Sequence, residues 1–400
     1  MKKIIIYLFL GITIVFGREI YVFDVFGIPG LKYNHIAILI VLATYWRALL
    51  NSKTPELKFI WGLVFLSLIS SYLGYRANNV GVFFNLNYIF GILFFIVGYH
   101  STQSINNYEK LLTLFTILFF ITYLFKELQF TLGGTPLLFG FDEIRTTRNF
   151  SGDHLIKGSS DSICTIGAVI LLNYLTLKRR FRFLVLFITL WILLRYGVRT
   201  PIFAAAIAYF SWVLFAGRLS SSSILLPLAG FIGTLLFVFD VNIYFYKFIE
   251  VIRVNDLDTR ETFIWRVAMW LDTLSTVFNS GFYLIGTSGM EIEFNLINSL
   301  GFREYLNPHN SYIYILLNFG ILNVLLMLIL IIKCLKVERG KFYNRLFAAS
   351  YCSVLMYAIY ANGSSVHEII YQAPLFWFLL GVHRKLSMFA YDRPKHMIAA

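Results

Sequence analysis

The residues best equipped for chemistry in this chain are a set of arginines and one histidine. Arg195 and Arg199 stand four apart in Arg195-Tyr196-Gly197-Val198-Arg199-Thr200-Pro201. That spacing shares a helix face, while Gly197 and Pro201 favour a break that exposes backbone amides. Two guanidinium groups at the edge of apolar segments are costly unless they meet an anion or a cavity. A diphosphate fits them, because Arg grips phosphate oxygens with a bidentate fork, and Thr200 would add a hydroxyl. Snorkelling to lipid headgroups, or pairing with an acid of a neighbouring loop, is the alternative. His309 lies in Asn307-Pro308-His309-Asn310-Ser311, directly before a long apolar run. Pro308 ends the preceding loop, and Asn310 or Ser311 can cap the helix that follows. A helix start favours neutral imidazole, the form a general base needs to accept a hydroxyl proton. A purely structural interfacial histidine is the competing reading.

Other groups are weaker. Arg260 and Arg266, with Trp265 between them, precede Gly281, Gly286 and Gly289; the basic pair suits phosphate or an acidic sugar, or simply a solvated face. The same choice applies to Arg145-Thr146-Thr147-Arg148. His367-Glu368 are adjacent and so rarely face one another. Asp256-Leu257-Asp258 matches the DxD pattern of metal- and nucleotide-sugar-dependent transferases, on a two-residue signal. No His/Cys/Asp set has metal-ligand spacing, and no Walker loop or dinucleotide fingerprint occurs. The expectation is therefore no cofactor and no metal.

The elements that must hold these residues are apolar. The 400-residue chain is 58% hydrophobic and 14% charged, with a mean hydropathy of +0.71, where soluble domains carry roughly 25% charge. Lipid is the expected solvent, and the expected fold class is all-α: a polytopic bundle of about 12 transmembrane helices (from). Candidate spans are roughly 4–22, 35–50, 59–75, 80–99, 111–126, 162–177, 183–197, 201–217, 223–240, 311–332, 346–361 and 369–386. Residues 4–16 follow Lys2 and Lys3 like a signal peptide, but Gly17-Arg18-Glu19 lacks a cleavage signature, so a retained first helix is expected. With both termini cytoplasmic, inner loops hold twenty basic and four acidic residues, and the outer side fourteen basic and seventeen acidic, as the positive-inside rule requires. The net charge of +13 then meets headgroups rather than nucleic acid. Residues 1–240 read as membrane bundle with an outer loop near 127–161, 241–310 as a large extracytoplasmic loop, and 311–400 as C-terminal spans and a cytoplasmic tail. Within the large loop, Phe263, Ile264, Val267, Met269, Trp270, Leu271, Leu274 and Val277 recur at helical spacing. They suggest an amphipathic helix lying on the outer membrane surface, or one packed on the bundle top. Cys164, Cys334 and Cys352 lie in or beside apolar segments and read as packing residues.

His309-Asn310, nine residues, then Gly320 resembles the H-[NSQ]-x9-G pattern of O-antigen ligases and related Wzy-type polymerases. Arg199-Thr200 at a helix end, Arg266 before an aromatic-rich helix, and Gly286-Thr287-Ser288-Gly289 are similar to other motifs of this superfamily. The resemblance covers roughly residues 160–380. It implies a GT-C-like fold and metal-independent transfer of a glycan from undecaprenyl diphosphate to a sugar hydroxyl, outside the cytoplasmic membrane of a bacterium. The acceptor would be another lipid-linked repeat for a polymerase, or a lipid A core sugar for a ligase of lipopolysaccharide. Arg199 and Arg266 would hold the diphosphate and His309 would act at the acceptor; Arg145, Arg148, Arg195, Thr200, Arg260 and Asn310 would line the substrates. A flippase and a chain-length regulator are the expected protein partners. Asn323 stands three positions after Gly320, where ligases carry a small residue or valine, which favours the polymerase. A lipid-linked oligosaccharide flippase or other transporter is the alternative from another class.

Overall fold

Proline positions and apolar runs set where the helices begin. Pro55 stands two residues before one, and Pro201 and Pro374 stand in first turns, where a missing N–H leaves no helical bond unmade. The computed structural model describes residues 33–52, 54–78, 86–102, 105–131, 145–148, 154–157, 160–177, 182–196, 199–215, 270–271, 273–275, 277–279, 281, 283–286, 310–336, 345–362 and 372–389. Its helices are α1 (Tyr33–Thr44), α2 (Trp46–Asn51), α3 (Leu57–Asn78), α4 (Leu86–Ser101), α5 (Ile105–Thr131), α6 (Ser160–Thr176), α7 (Arg182–Tyr196), α8 (Arg199–Phe215), α9 (Ser311–Leu335), α10 (Arg345–Tyr360) and α11 (Gln372–Phe389). Between α5 and α6 lies a two-stranded antiparallel ribbon, β1 (Arg145–Arg148) with β2 (His154–Lys157). The architecture is helical, as expected, with this ribbon as the exception. The expected span 35–50 is two helices, parted at Tyr45, where the backbone leaves helical geometry. Spans 4–22 and 223–240 lie outside the described residues. Among the described residues two helices, α9 and the Leu57–Gly74 stretch of α3, are long and apolar enough to cross a membrane.

Cross-links between helices fix their directions. His35 Nε2 donates to Asn87 Oδ1 at 2.8 Å, and Ser52 is hydrogen-bonded to His100 at 3.0 Å, so α1–α2 runs parallel to α4. α11 is parallel to α4 as well: Gly91 meets Ala373 and Trp377, and Gly381 meets Phe95 and Tyr99. A methyl group at Gly98 would overlap the Phe378 carbonyl, so the two backbones are in direct contact along this seam. α3 and α9 are antiparallel, with Leu326 beside Gly62 and Asn323 beside Ser67. Tyr108 near the start of α5 donates to Asn173 near the end of α6 at 2.7 Å. α6 packs on both α7 and α8, so the chain folds back at each connection.

These directions define two ends. At one stand the starts of α4, α6, α8, α9 and α11; at the other stand their ends. The second end holds Lys58, Lys110, Arg182, Lys333, Arg384 and Lys385. There Glu56, fully buried, meets Arg384 at 2.9 Å. Lys333 lies over the Phe59 ring, and Lys385 over Tyr99. The main core joins α1 to α11 through residues such as Phe94, Phe119, Phe347 and Trp377. The three cysteines are buried free thiols within it.

Candidate functional site

The start of α9 is fastened on two sides. Asn310 is its cap, in extended conformation, and its Oδ1 accepts from Tyr312 N at 3.0 Å and Ile313 N at 3.2 Å. This satisfies two of the orphan amides of the first turn. Ser311 N donates to the Ala361 carbonyl at 2.8 Å, and Tyr312 Oη to that of Ala358 at 2.8 Å. The end of α10 therefore supports the start of α9, and the side-chain oxygen of Asn310 is already committed to capping.

Partway along, α9 breaks. Gly320 has φ 78° and ψ 173°, a conformation that L side chains avoid. The break frees the amides of Ile321 and Leu322 from their usual acceptors four residues back. A segment of the loop before α9 takes their place: Tyr283 O accepts from Ile321 N at 2.8 Å, and Leu284 O from Leu322 N at 3.5 Å. The fit is reciprocal. A methyl group at Gly320 would overlap the Leu284 carbonyl and Ile285 N, and one at Gly286 (φ 81°) would overlap the Asn318 carbonyl and Phe319 N. Gly286 and Gly320, 34 residues apart, are thus two halves of one backbone clasp.

Side chains from two further helices brace the clasp. The Ser70 hydroxyl on α3 donates to the Ile285 carbonyl, with Leu66 O of its own helix as second acceptor at 3.0 Å. Asn323, one turn beyond the break and fully buried, donates to Ser67 Oγ at 2.9 Å and accepts from Tyr88 Oη at 2.8 Å. The Tyr88 ring stacks on Phe319, with centroids 4.7 Å apart. Across the break, Val277 packs on Leu316, with Trp270, Leu274, Leu317, Ile321 and Val324 around them. Trp270, Leu274 and Val277 of the loop segment therefore pack on α9. Ile321 is ten residues into α9, about 15 Å at 1.5 Å per residue, so the loop descends that far beside the helix. Backbone amides released inside a buried part of the bundle need internal partners, and the clasp supplies them.

The basic candidates gather at the end where α9 starts. Cys352 Sγ on α10 reaches the Ala208 carbonyl on α8 at 3.7 Å. Nine residues back along α8 is Arg199, and nine forward along α10 is Ala361, the acceptor for Ser311. Arg199 and Thr200 form the first turn of α8, and Arg195 the last turn of α7. β2 contacts α7 and leads into α6, which starts at the same end. In the ribbon Arg145 pairs in register with Lys157, and Arg148 with His154. The structure thus brings Arg145, Arg148, Arg195, Arg199, Thr200 and Asn310 to one end of the molecule. His309, Arg260, Arg266, Trp265, Asp256, Asp258, Gly289, His367 and Glu368 lie outside the described residues.

Ser67, Ser70, Tyr88 and Asn323 escape the sequence reading as a group. The legible signal is the polar run Ser67, Ser70 and Ser71 within an otherwise apolar helix, together with a lone Asn in the apolar α9. Compared with protein-family models the chain matches none, and compared with curated proteins it matches none either.

Proposed function

We propose that the chain is a polytopic glycosyltransferase of a bacterial cytoplasmic membrane, with about twelve spans and both termini inside. It transfers a glycan from undecaprenyl diphosphate to a sugar hydroxyl at the outer face, as a polymerase of O-antigen or exopolysaccharide. One observation carries the reading. Gly286 and Gly320, each part of a motif similar to those of the O-antigen ligase/polymerase superfamily, meet in one clasp on the helix that follows His309. Two further features support it. Lys58, Lys110, Arg182, Lys333, Arg384 and Lys385 stand at the end where α9 finishes, opposite the candidate arginines, as the positive-inside rule expects of a cytoplasmic face. Large apolar side chains also stand outward, among them Phe183 at 82%, Phe187 at 71% and Phe65 at 63% exposure, where a soluble protein would carry charge.

In this reading the acceptor oxygen attacks the anomeric carbon, and the bond from that carbon to the diphosphate breaks. The hydroxyl proton passes to His309 or to the departing diphosphate. Negative charge grows on the leaving group, where Arg199 and Arg266 would stabilise it; Arg145, Arg148, Arg195 and Arg260 would bind the anionic parts of donor or acceptor. The phosphosugar bond supplies the energy, so neither nucleotide nor metal is called for. The partners are the lipid-linked donor, a glycan acceptor, membrane lipid, a flippase and a chain-length regulator. The ligase alternative differs only in acceptor, a lipid A core sugar.

A transporter is the second reading, because broken helices at membrane depth commonly line transport sites. Here the break is filled by the protein's own backbone, Tyr283 to Gly286, which favours the enzyme.

The test uses purified protein in lipid nanodiscs with a lipid-linked repeat as donor and acceptor. His309→Ala should lower transfer by ~10²–10⁴-fold at unchanged protein yield, and Arg199→Lys should fail although charge is kept. Transfer at wild-type rate in both variants would sink the assignment.

A further inference from the structure

Two lysines share one aromatic ring where α3 begins and α9 ends. Lys333 Nζ lies 5.0 Å from the centroid of Phe59, and Lys58 Nζ lies 5.6 Å from it. Neither α3 nor α9 contains an acidic residue. Glu56, the acid just before α3, is buried and held by Arg384 at 2.9 Å. Among the described residues neither lysine forms an ion pair. The ring face attracts both ammonium groups but carries no charge to balance theirs. Lys58 also stands in the first turn of α3, where the helix dipole favours an anion.

The surface leading away from this pair is apolar and turned outward. On α3, Trp61, Phe65 and Leu68 follow Lys58 at helical spacing, and on α9, Leu325, Ile329 and Ile332 lead up to Lys333 in the same way. Each set forms one stripe, and all six side chains are exposed. The two helices are antiparallel and touch at Gly62, where a Cβ would stand 3.4 Å from Leu326. Both stripes therefore finish in a lysine at the same end. From Lys58 to Leu68 the α3 stripe covers about 15 Å at 1.5 Å per residue, roughly half of a ~30 Å hydrocarbon core. That is the depth of the acyl chains of one leaflet. A small anion would answer the lysines and leave the stripes in water, whereas an amphiphile with an anionic head answers both.

We propose that the α3–α9 face binds an anionic phospholipid of the leaflet on the Arg384 side, with its phosphate at Lys58 and Lys333 and its acyl chains along the two stripes. The inference rests on the membrane placement proposed above and is independent of the transfer chemistry. Basic residues beside apolar helices collect acidic headgroups in this way. The pair also sets a preference: a zwitterionic headgroup brings its own cation towards the lysines, and a net anionic one does not.

Native mass spectrometry of the full-length protein reads the site, with phosphatidylglycerol and phosphatidylcholine of identical acyl chains in competition. Wild-type protein should retain phosphatidylglycerol about 25-fold better, since each lysine near a charged headgroup is worth about fivefold. Lys58→Gln and Lys333→Gln should each lower that preference about fivefold, and the two together should abolish it. The double variant Lys58→Arg with Lys333→Arg keeps the charges and should keep the preference. Lys110→Gln, at the same end but on α5, should leave it unchanged. Equal retention of the two lipids by wild-type protein would overturn the site. A loss in Lys110→Gln equal to that in Lys58→Gln would also overturn it, by showing a diffuse basic surface. A detergent-stable dimer that Ile332→Gln separates would assign the face to a second copy of the chain, again against the inference. Protein that stays monodisperse without detergent would defeat the membrane placement and the lipid site with it. Membrane-bound protein that transfers no sugar would defeat the transferase reading alone, and the lipid competition would still decide the site.

Discussion

Two places in this molecule bring backbones into contact through glycine, and they differ in what the glycine supplies. Along the α4–α11 seam, Gly91, Gly98 and Gly381 leave the helices regular and give only room. At the clasp, Gly286 and Gly320 give room and a left-handed backbone together. The seam is one contact within a wide helix interface, so its loss spreads into the whole core. The clasp is local: it joins a four-residue loop segment to one helix break, with Ser70 and Asn323 bracing it from either side. Seam glycines should thus govern whether the protein folds, and clasp glycines whether the folded protein works.

The largest effect should come from the seam. Gly98→Val forces side-chain atoms into the Phe378 backbone, and the loss is expected to reach roughly 3 kcal/mol or more, read as lower yield of monodisperse protein and a lower Tm. A folded, fully stable but inactive Gly98→Val would erase the distinction between the two regions. Gly320→Ala comes next. The backbone at φ 78° and ψ 173° costs about 1–3 kcal/mol for a residue with Cβ, and the overlap with Leu284 and Ile285 adds to it. Transfer should fall more than ~10-fold in protein that still elutes as a single species, since the misplacement is local. Unfolding of Gly320→Ala with no active folded fraction would mean the clasp is structural in the same sense as the seam. Tyr88→Phe should be smallest. It removes the donor to Asn323 Oδ1 and leaves a buried acceptor unpaired, about 1–2 kcal/mol by thermal unfolding. A change below the error of that measurement would show that Asn323 finds another donor.

The helices were legible where hydropathy alone decides them. The expected 162–177, 183–197 and 311–332 are Ser160–Thr176, Arg182–Tyr196 and Ser311–Leu335, and the capping role of Asn310 follows from its place after Pro308 and before an apolar run. The breaks were not legible. A window average does not register one residue with φ 78°, so Gly320 reads as part of a continuous span, and Tyr45 likewise. The docking of Tyr283 to Gly286 depends on contacts 34 or more residues away, which no local pattern encodes. Four-residue strands such as Arg145–Arg148 carry too short an alternation to stand out from a polar loop. Glu56 counts as one more loop acid by sequence, and only the structure reveals it as a buried partner of Arg384. The candidate arginines were legible by type and spacing; that four of them share one end required the helix directions.

Those directions have a consequence of parity. α4 and α11 run parallel, yet the described helices between them, α5 to α10, number six. Six reversals would return the chain to where α4 ended, at the end opposite the start of α11. Phe215 closes α8 at the Arg384 end, and Ser311 opens α9 at the other. The chain between Phe215 and Ser311 therefore begins at one end and finishes at the other, a displacement that the direction of the α4–α11 seam requires.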